Sequence, residues 1–142
     1  MNLSRRTDYA LRLVAALASD PQRVASVRSV SEKQDVPYAF ARSIQHDLVE
    51  AGLVESQRGA GGGMRLARDP EDLTLLDVIN AIDGGVHVAC CTFEGMECPR
   101  EDCCSFHQVW SGADQVLASY YDSITIADLL EGKIPGGDQA SE

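Results

Sequence analysis

The sequence predicts a mainly α-helical protein, a winged helix-turn-helix with one small β-hairpin as its wing, followed by a long C-terminal helix. Three observations predict this fold class. Two helical patterns are joined by the three-residue turn 34–36, and the glycine-rich segment 59–63 separates two short strand patterns. A long apolar stripe with helical spacing then begins after Cys104.

Capping signals place the first three helices at about 4–19, 26–33 and 37–51. Ser4 and Ser26 can each cap a helix, because a serine hydroxyl accepts a hydrogen bond from an otherwise unpaired backbone N–H. Pro37 suits the first position of the third helix, where its missing N–H costs nothing. That helix presents Phe40, Ile44 and Leu48 at intervals of four, and we expect Ile44 and Leu48 to face the core.

The hairpin is expected to pair strands at about 53–58 and 64–67 across a flexible glycine turn. Further on, Thr74 to Asp77 resembles a capping box that opens a helix ending at Gly84. Residues 86–103 have no regular period and are expected to form a loop. We therefore divide the chain into a DNA-binding domain (1–68), a segment carrying the loop and the long helix (69–132), and a flexible tail (133–142).

Charge is distributed unevenly along the chain. The net charge is −10, yet residues 1–68 carry ten Lys and Arg against seven acids, whereas residues 69–142 carry two against fifteen. The first half could therefore face an anion, although the acidic half could equally serve solubility alone. No apolar run is long enough for a membrane helix or an export signal, so we expect a cytoplasmic protein.

The third helix is the one that would lie in the major groove of double-stranded DNA. Arg42 could donate two hydrogen bonds to a guanine, and Arg58 and Arg65 flank the wing tip. Glycines there would let the backbone approach the sugar–phosphate chain. The candidate DNA-binding residues are Tyr38, Ala39, Arg42, Ser43, Arg58, Gly61, Gly62 and Arg65.

All five cysteines lie within fifteen residues, at positions 90, 91, 98, 103 and 104. An odd, tight group in a cytoplasmic protein is typical of metal binding or redox sensing. Spacing wider than the usual zinc pairs favours an iron–sulfur cluster, with zinc or merely redox-active thiols as alternatives. One cysteine of each adjacent pair is expected to be a ligand. His107 shares a helical face with Cys104 and could be a ligand too, or simply a polar residue at a helix start.

Several segments resemble the iron–sulfur-responsive winged-helix regulators, a family that includes the repressor of iron–sulfur cluster biogenesis and the nitric-oxide-sensing repressor. The resemblance covers roughly residues 1–132. Its most specific parts are the wing and the cysteine loop. The matching segments are Leu48 to Gly63, Leu3-Ser4 with Asp8 to Leu11, Leu75 to Val78, Ala81 to Gly84 and Ile126 to Leu129.

The resemblance implies a homodimer with the long helix 104–122 at its centre. It also implies a cluster held by three loop cysteines, of which Cys98 and Cys104 match closely. The first ligand is ambiguous, since Cys91 and Cys90 are one and two residues too far from Cys98; we take Cys91.

The fourth ligand differs among members of the family. It is the histidine matching His107, with a [2Fe–2S] cluster, or the aspartate matching Asp8 in the partner subunit, with a [4Fe–4S] cluster. We favour Asp8 and [4Fe–4S], because Asp8 lies on the helix that precedes the DNA-reading unit. Arg42 departs from the acid of the biogenesis repressor, so a different operator is expected.

The leading hypothesis is therefore a dimeric DNA-binding repressor that senses nitric oxide, redox state or iron–sulfur status. The alternative is a cluster-free regulator controlled by cysteine oxidation or by a protein partner. We expect no enzyme, because the sequence has no nucleophile–base pair and the glycine-rich stretch lacks the Lys-Ser/Thr of a phosphate-binding loop.

Overall fold

The computed structural model describes residues 2–93, 95, 98–100 and 104–136. Its elements confirm the predicted fold class, and none of the described helices is long and apolar enough to cross a membrane. In chain order they are α1 (Arg5–Ala18), α2 (Val27–Lys33), α3 (Tyr38–Glu50), β1 (Val54–Gln57), β2 (Gly63–Leu66), α4 (Leu75–Asp83), α5 (Ser105–Asp122) and α6 (Ile126–Glu131).

Side-chain caps determine where most helices begin. Ser4 and Ser26 each accept a hydrogen bond from the backbone N–H three residues later, as predicted. Thr74 and Thr125 open α4 and α6 with complete capping boxes. In the second box, hydrogen bonds from the Thr125 backbone and side chain lower the pKa of Asp128. Each such cap stabilises its helix by about 1 kcal/mol.

The start of α3 differs slightly from the prediction, whereas Ile44 and Leu48 are fully buried as predicted. Pro37 is the N-cap, one position before the helix, instead of its first residue. Phe40 is 42% exposed and meets the Tyr9 ring edge-on, with 5.7 Å between centroids. Each step of four residues drifts by about 40°, which puts Phe40 at the border of the buried face. The buried positions of α3 are Ala41, Ile44, Gln45 and Leu48.

The wing is a two-stranded antiparallel sheet in which Val54 faces Leu66 and Gln57 faces Gly63. Ala25, just before α2, extends it through two backbone hydrogen bonds with Met64, of 2.9 and 2.8 Å. Met64 is fully buried. The hairpin is therefore anchored to the body at its base, while its tip around residues 58–61 is exposed.

One hydrophobic core joins the helix-turn-helix to the second half of the chain. Leu13 of α1, Ile44 of α3, Val78 of α4 and Ile126 of α6 are all fully buried in it. The division at residue 68 stays a prediction, since both segments contribute to this core. Of the predicted tail, residues 137–142 lie outside the described part of the chain.

In contrast, no residue of α5 is buried. Its apolar stripe follows the predicted helical spacing but faces outward. Phe106 is 69% exposed, Val109 59% and Val116 70%, and the ring of Trp110 stacks near that of Phe106. An outward apolar stripe of this length is typical of a helix that packs against a partner.

Candidate nucleic-acid interface and cysteine site

A groove of about 700 Å³ lies between α2, α3 and the hairpin. Arg28, Arg42 and Arg58 line it, and we call it the arginine groove. The ion pairs found among the described residues engage other cations and leave these three arginines out. Their charges are therefore available to an anion that enters the groove.

Arg28 was missed by the sequence reasoning. Its guanidinium carbon lies 4.1 Å from the centroid of the Tyr38 ring. This cation–π contact holds the two side chains together at the N-terminal ends of α2 and α3. The available signal was its position in the first turn of α2, the helix that precedes the reading helix. Tyr38 also lines the groove, and the neighbouring Ala39 is exposed.

Ser43 contacts a different part of the protein. Its hydroxyl accepts a hydrogen bond of 2.8 Å from Arg6 of α1, and the same guanidinium group pairs with Asp47 at 2.8 Å. Both α3 residues thus tie the reading helix to α1. Ser43 remains exposed at this position, so its predicted contact with DNA stays a prediction.

The structure adds to two expectations about the wing, which concern the charge of Arg65 and the glycines at its tip. Arg65 is paired with Glu55 directly across the hairpin at 3.0 Å, so part of its charge is already neutralised. A Cβ on Gly62 would overlap the Gln57 carbonyl, and one on Gly63 would overlap the Ala25 carbonyl. These two glycines are required by close packing within the chain itself, whatever approaches from outside. Gly61 has a positive φ and open space around it.

The cysteine loop follows α4. It was predicted to be irregular throughout, but part of it is regular. Cys90–Thr92 form a short 3-10 helix. Cys90 is exposed, whereas Cys91 is half-buried and lines a second groove of about 700 Å³ between α4, the loop and α5. We call this the loop groove. His107 lines it as well, and Cys104 is the N-cap residue of α5.

The other described thiols lie near Cys91, which is the cysteine that lines this groove. Burial, together with the neighbouring thiols Cys90, Cys98 and Cys104, raises the pKa of Cys91. A raised pKa keeps the thiol protonated at neutral pH, so a bound cation would have to displace its proton. Cys103 lies outside the described residues.

The thiols that the structure describes are not assembled around a single ion. Among the described residues, no three loop donor atoms lie within 4.8 Å of one another; the one group that close is His46, Asp47 and Glu50 on α3. A tetrahedral ion with bonds of about 2.3 Å needs its ligand sulfurs within about 4 Å.

The two predicted fourth ligands occupy different surroundings. Asp8 lies on α1, does not line the loop groove, and pairs with Arg12 at 2.8 Å. His107 is half-buried in the groove, with Ser111 Oγ at 3.5 Å from its Nε2. Within one chain, His107 but not Asp8 thus lines the same groove as Cys91.

A histidine that the sequence reasoning treated as a bystander also lines the loop groove. The side chains of His87 and Asp114 are 18% and 14% exposed, with 3.6 Å between Nδ1 and a carboxylate oxygen. No motif signalled this pair, because Asp114 lies on α5, far along the chain.

Contacts through Asp83 link the loop to the DNA-reading unit. Asp83 is the last residue of α4, and the loop begins directly after it. Its carboxylate accepts hydrogen bonds from Ser4 Oγ at 2.8 Å and from the buried Thr7 Oγ1 at 2.6 Å. Arg6, which lies between these two residues in the sequence, pairs with Asp47 of α3. The end of α4, the start of α1 and the reading helix therefore form one connected set.

A helix-turn-helix followed by an anchored β-hairpin, with three arginines lining the groove between them, defines a winged-helix DNA-binding regulator. The comparisons with known proteins agree. Residues 3–132 match the Rrf2 family, described as iron-dependent transcriptional regulators, and the chain belongs to this family.

Relatives include the transcriptional regulator NsrR of Shouchella clausii, 31% identical, with 92% of this chain and 89% of the relative covered. IscR of Vibrio campbellii is 28% identical, with coverage of 92% and 78%. Among solved structures, T. potens IscR matches with a TM-score of 0.75 and 26% identity, covering all of this chain and 92% of the other. CymR, the global cysteine regulator of B. subtilis, matches with a TM-score of 0.68 and 25% identity, covering 91% and 95%.

Proposed function

We propose that this regulator is a homodimeric repressor whose affinity for operator DNA is controlled by an iron–sulfur cluster bound at the loop groove. The observation that carries the proposal is that Cys91 lines the loop groove while Cys98 and Cys104, the N-cap residue of α5, lie near enough to raise the pKa of its thiol. It works in the cytoplasm, where thiols stay reduced and DNA is present.

The donor set fits such a cluster. Thiolates are the usual ligands of iron–sulfur clusters, and three of them from one segment leave one position for a different ligand. Asp8, with a [4Fe–4S] cluster, and His107, with a [2Fe–2S] cluster, are the two expected choices. When bound, the cluster supplies iron and sulfide that nitric oxide or oxygen can attack.

The chain's own contacts can pass a change at the loop to the DNA. A displaced loop would pull on Asp83, whose hydrogen bonds hold Ser4 and Thr7 at the start of α1. Arg6 would then carry the shift of α1 to Asp47 on the reading helix. Because two half-sites must be met about one helical turn apart, a small shift of α3 can cost much affinity.

Asp83→Asn tests this connection. Asparagine keeps one acceptor but loses the charge that strengthens the bonds from Ser4 and Thr7, so we expect a loss of about 1–2 kcal/mol in unfolding free energy. Chemical denaturation of the metal-free protein measures it. Asp20→Asn, at an exposed position, is the control and should change the stability by less than about 0.5 kcal/mol. If the two variants are equally stable, the hydrogen bonds of Asp83 do not hold α4 to the start of α1.

The arginine groove provides the DNA contacts in this proposal. Arg42 reads a base from α3, Arg28 and Arg58 bind phosphates, and the backbone at Gly61 and Gly62 approaches the DNA at the wing tip. Tyr38, Ala39 and Ser43 lie at the same end of the reading helix and complete the surface. Arg65 contributes less than these residues, because its pairing with Glu55 neutralises part of its charge.

We expect Arg42→Ala to weaken specific DNA binding by about 5- to 150-fold, the loss of a bidentate contact worth about 1–3 kcal/mol. Arg65→Ala should weaken it by less than about fivefold, because Glu55 already pairs with Arg65. Fluorescence anisotropy measures both at one salt concentration, on a duplex selected by the wild-type protein from a random library. Equal losses would contradict the assignment of Arg42 as a base-reading residue.

A cluster-free regulator controlled by thiol oxidation or by a partner protein is the second candidate. The exposed Cys90 next to Cys91 favours it, and one structural neighbour is described as an oxidised form of Staphylococcus aureus CymR.

Anaerobic purification separates the two candidates. The proposal expects coloured protein with iron and sulfide in equal amounts, and a DNA affinity that changes when a chelator or nitric oxide removes the cluster. Protein that stays colourless after anaerobic reconstitution, but loses or gains DNA binding on oxidation, would establish the second candidate in its place.

A further inference from the structure

Asp114 of α5 holds the beginning of the cysteine loop. Its Oδ1 accepts a hydrogen bond of 2.7 Å from the backbone N–H of Val88. Its second carboxylate oxygen lies 3.6 Å from Nδ1 of His87, and the side chains of both residues are largely buried. A hydrogen bond to a charged acceptor is stronger than one to a neutral acceptor, and more so where water is scarce. This contact therefore ties two neighbouring loop residues to one point on α5.

The loop segment that Asp114 holds is compact. The rings of His87 and Phe93, which flank Cys91 in the sequence, pack together with 4.4 Å between centroids. The 3-10 helix Cys90–Thr92 lies between them in the sequence. On its other side the His87 ring fills the space beside Gly85, where a Cβ would come within 2.9 Å of the ring. Cys91 thus belongs to a closed turn, and a contact that fixes one point of this turn restricts the rest of it.

The helix that carries Asp114 also carries a second predicted ligand. Cys104 is the N-cap of α5 and lies near enough to Cys91 to raise the pKa of its thiol. Ten helical residues span about 15 Å, so Cys104 and Asp114 stand at a fixed separation of that size. Val88 and Cys91 are three residues apart, a stretch that spans at most about 10 Å. Holding Val88 at Asp114 therefore limits where Cys91 can lie relative to Cys104.

Local helix stability does not explain an aspartate at this position. Aspartate is a weak helix former, and Asp114 lies in the middle of α5. The ion pairs among the described residues include none between Asp114 and a lysine or arginine. A largely buried carboxylate needs compensating partners, and here the loop provides them.

We infer that Asp114 is a positioning residue, which docks the start of the cysteine loop on α5 and thereby places Cys91 to share a cluster with Cys104. The inference deepens the proposed function and rests on it. It is independent of which group is the fourth ligand.

Alkylation of the metal-free protein tests the docking without a cluster. Iodoacetamide modifies each thiol at a rate that depends on its exposure, and fragment-ion mass spectrometry distinguishes Cys91 from Cys90. Asp114→Ala removes the acceptor of the Val88 N–H, so we expect Cys91 to react at least about tenfold faster while the rate of Cys90 changes by less than about twofold. Asp122→Ala makes the same change at an exposed position of α5 and should leave both rates unchanged.

Cluster retention tests the consequence of the docking. Competition with an iron chelator, followed through the visible absorption of the reconstituted protein, measures how tightly the cluster is held. We expect Asp114→Ala to hold it about 10- to 100-fold less tightly, the usual cost of losing a group that orients a metal ligand. Asp114→Asn keeps an oxygen acceptor for the Val88 N–H, so its loss should be smaller.

Faster alkylation of Cys91 together with weaker cluster retention supports the inference. Unchanged Cys91 reactivity or unchanged cluster retention in Asp114→Ala overturns it while leaving the proposed function intact. If circular dichroism shows that Asp114→Ala is unfolded, Asp114→Asn decides instead. A neutral acceptor is roughly half as strong as a charged one, so Asp114→Asn should speed the alkylation of Cys91 by about threefold, and an unchanged rate overturns the inference. A wild-type protein without any cluster is a failure of the proposed function itself.

Discussion

Cys91→Ser should lower the affinity of the protein for its cluster by at least about 100-fold, whereas Cys90→Ser should leave it nearly unchanged. Losing even an outer-shell partner of a metal ligand costs about 10- to 100-fold in affinity, so losing a direct thiolate ligand should cost more. Cys91 is half-buried and lines the loop groove, while Cys90 is exposed. The spacing to Cys98 alone could not distinguish them.

Iron and sulfide content after anaerobic reconstitution, with the visible absorption of the cluster, measures the effect. The two variants are well matched, since they make the same change at adjacent positions of one 3-10 helix. DNA binding of Cys91→Ser should equal that of the demetallated wild type. If Cys90→Ser loses iron instead, Cys90 is the ligand in place of Cys91, and the loop changes its conformation when it binds the cluster.

Local signals made most of the fold predictable from the sequence. Capping by Ser4 and Ser26 depends on residues within one helical turn, so helix starts could be predicted closely. The prediction that Ile44 and Leu48 of α3 face the core is confirmed. Phe40, one step of four residues earlier, lies at the border of the buried face because a four-residue repeat drifts around the helix. The thiols could be recognised because they are close together in sequence.

The remaining parts of the candidate site depend on contacts between distant positions. Pairing of Arg65 with Glu55 requires the hairpin register, and the clash that excludes a side chain at Gly63 comes from Ala25 on a different segment. The pairing of His87 with Asp114 arises only because α5 places Asp114 beside the loop. Sequence spacing carries no information about such pairs, so the sequence reasoning could find the ligand types but not their supporting partners.

Val116→Glu should convert the protein to monomers and weaken its binding to a two-half-site operator by at least about 100-fold. Val116 is 70% exposed in one chain and lies in the apolar stripe of α5 with Val109 and Phe106. In the proposed dimer two-fold symmetry would bring two copies of this stripe together, so the substitution would bury two carboxylates in an apolar interface. A monomer can occupy only one half-site, and it loses the gain of about 10²- to 10⁴-fold that linked binding provides.

Sedimentation velocity measures the oligomeric state, and anisotropy on operators with one or two half-sites measures the binding. Gln108→Glu places the same charge at an exposed position of α5 that is not three or four residues from Phe106, Val109 or Val116, and it should remain dimeric with wild-type affinity. Because Val116 does not line the arginine groove, binding of Val116→Glu to a single half-site should stay close to that of the wild type. A variant that remains dimeric would show that α5 pairs through another surface, and equal weakening on both operators would point to a misfolded chain instead of a lost interface.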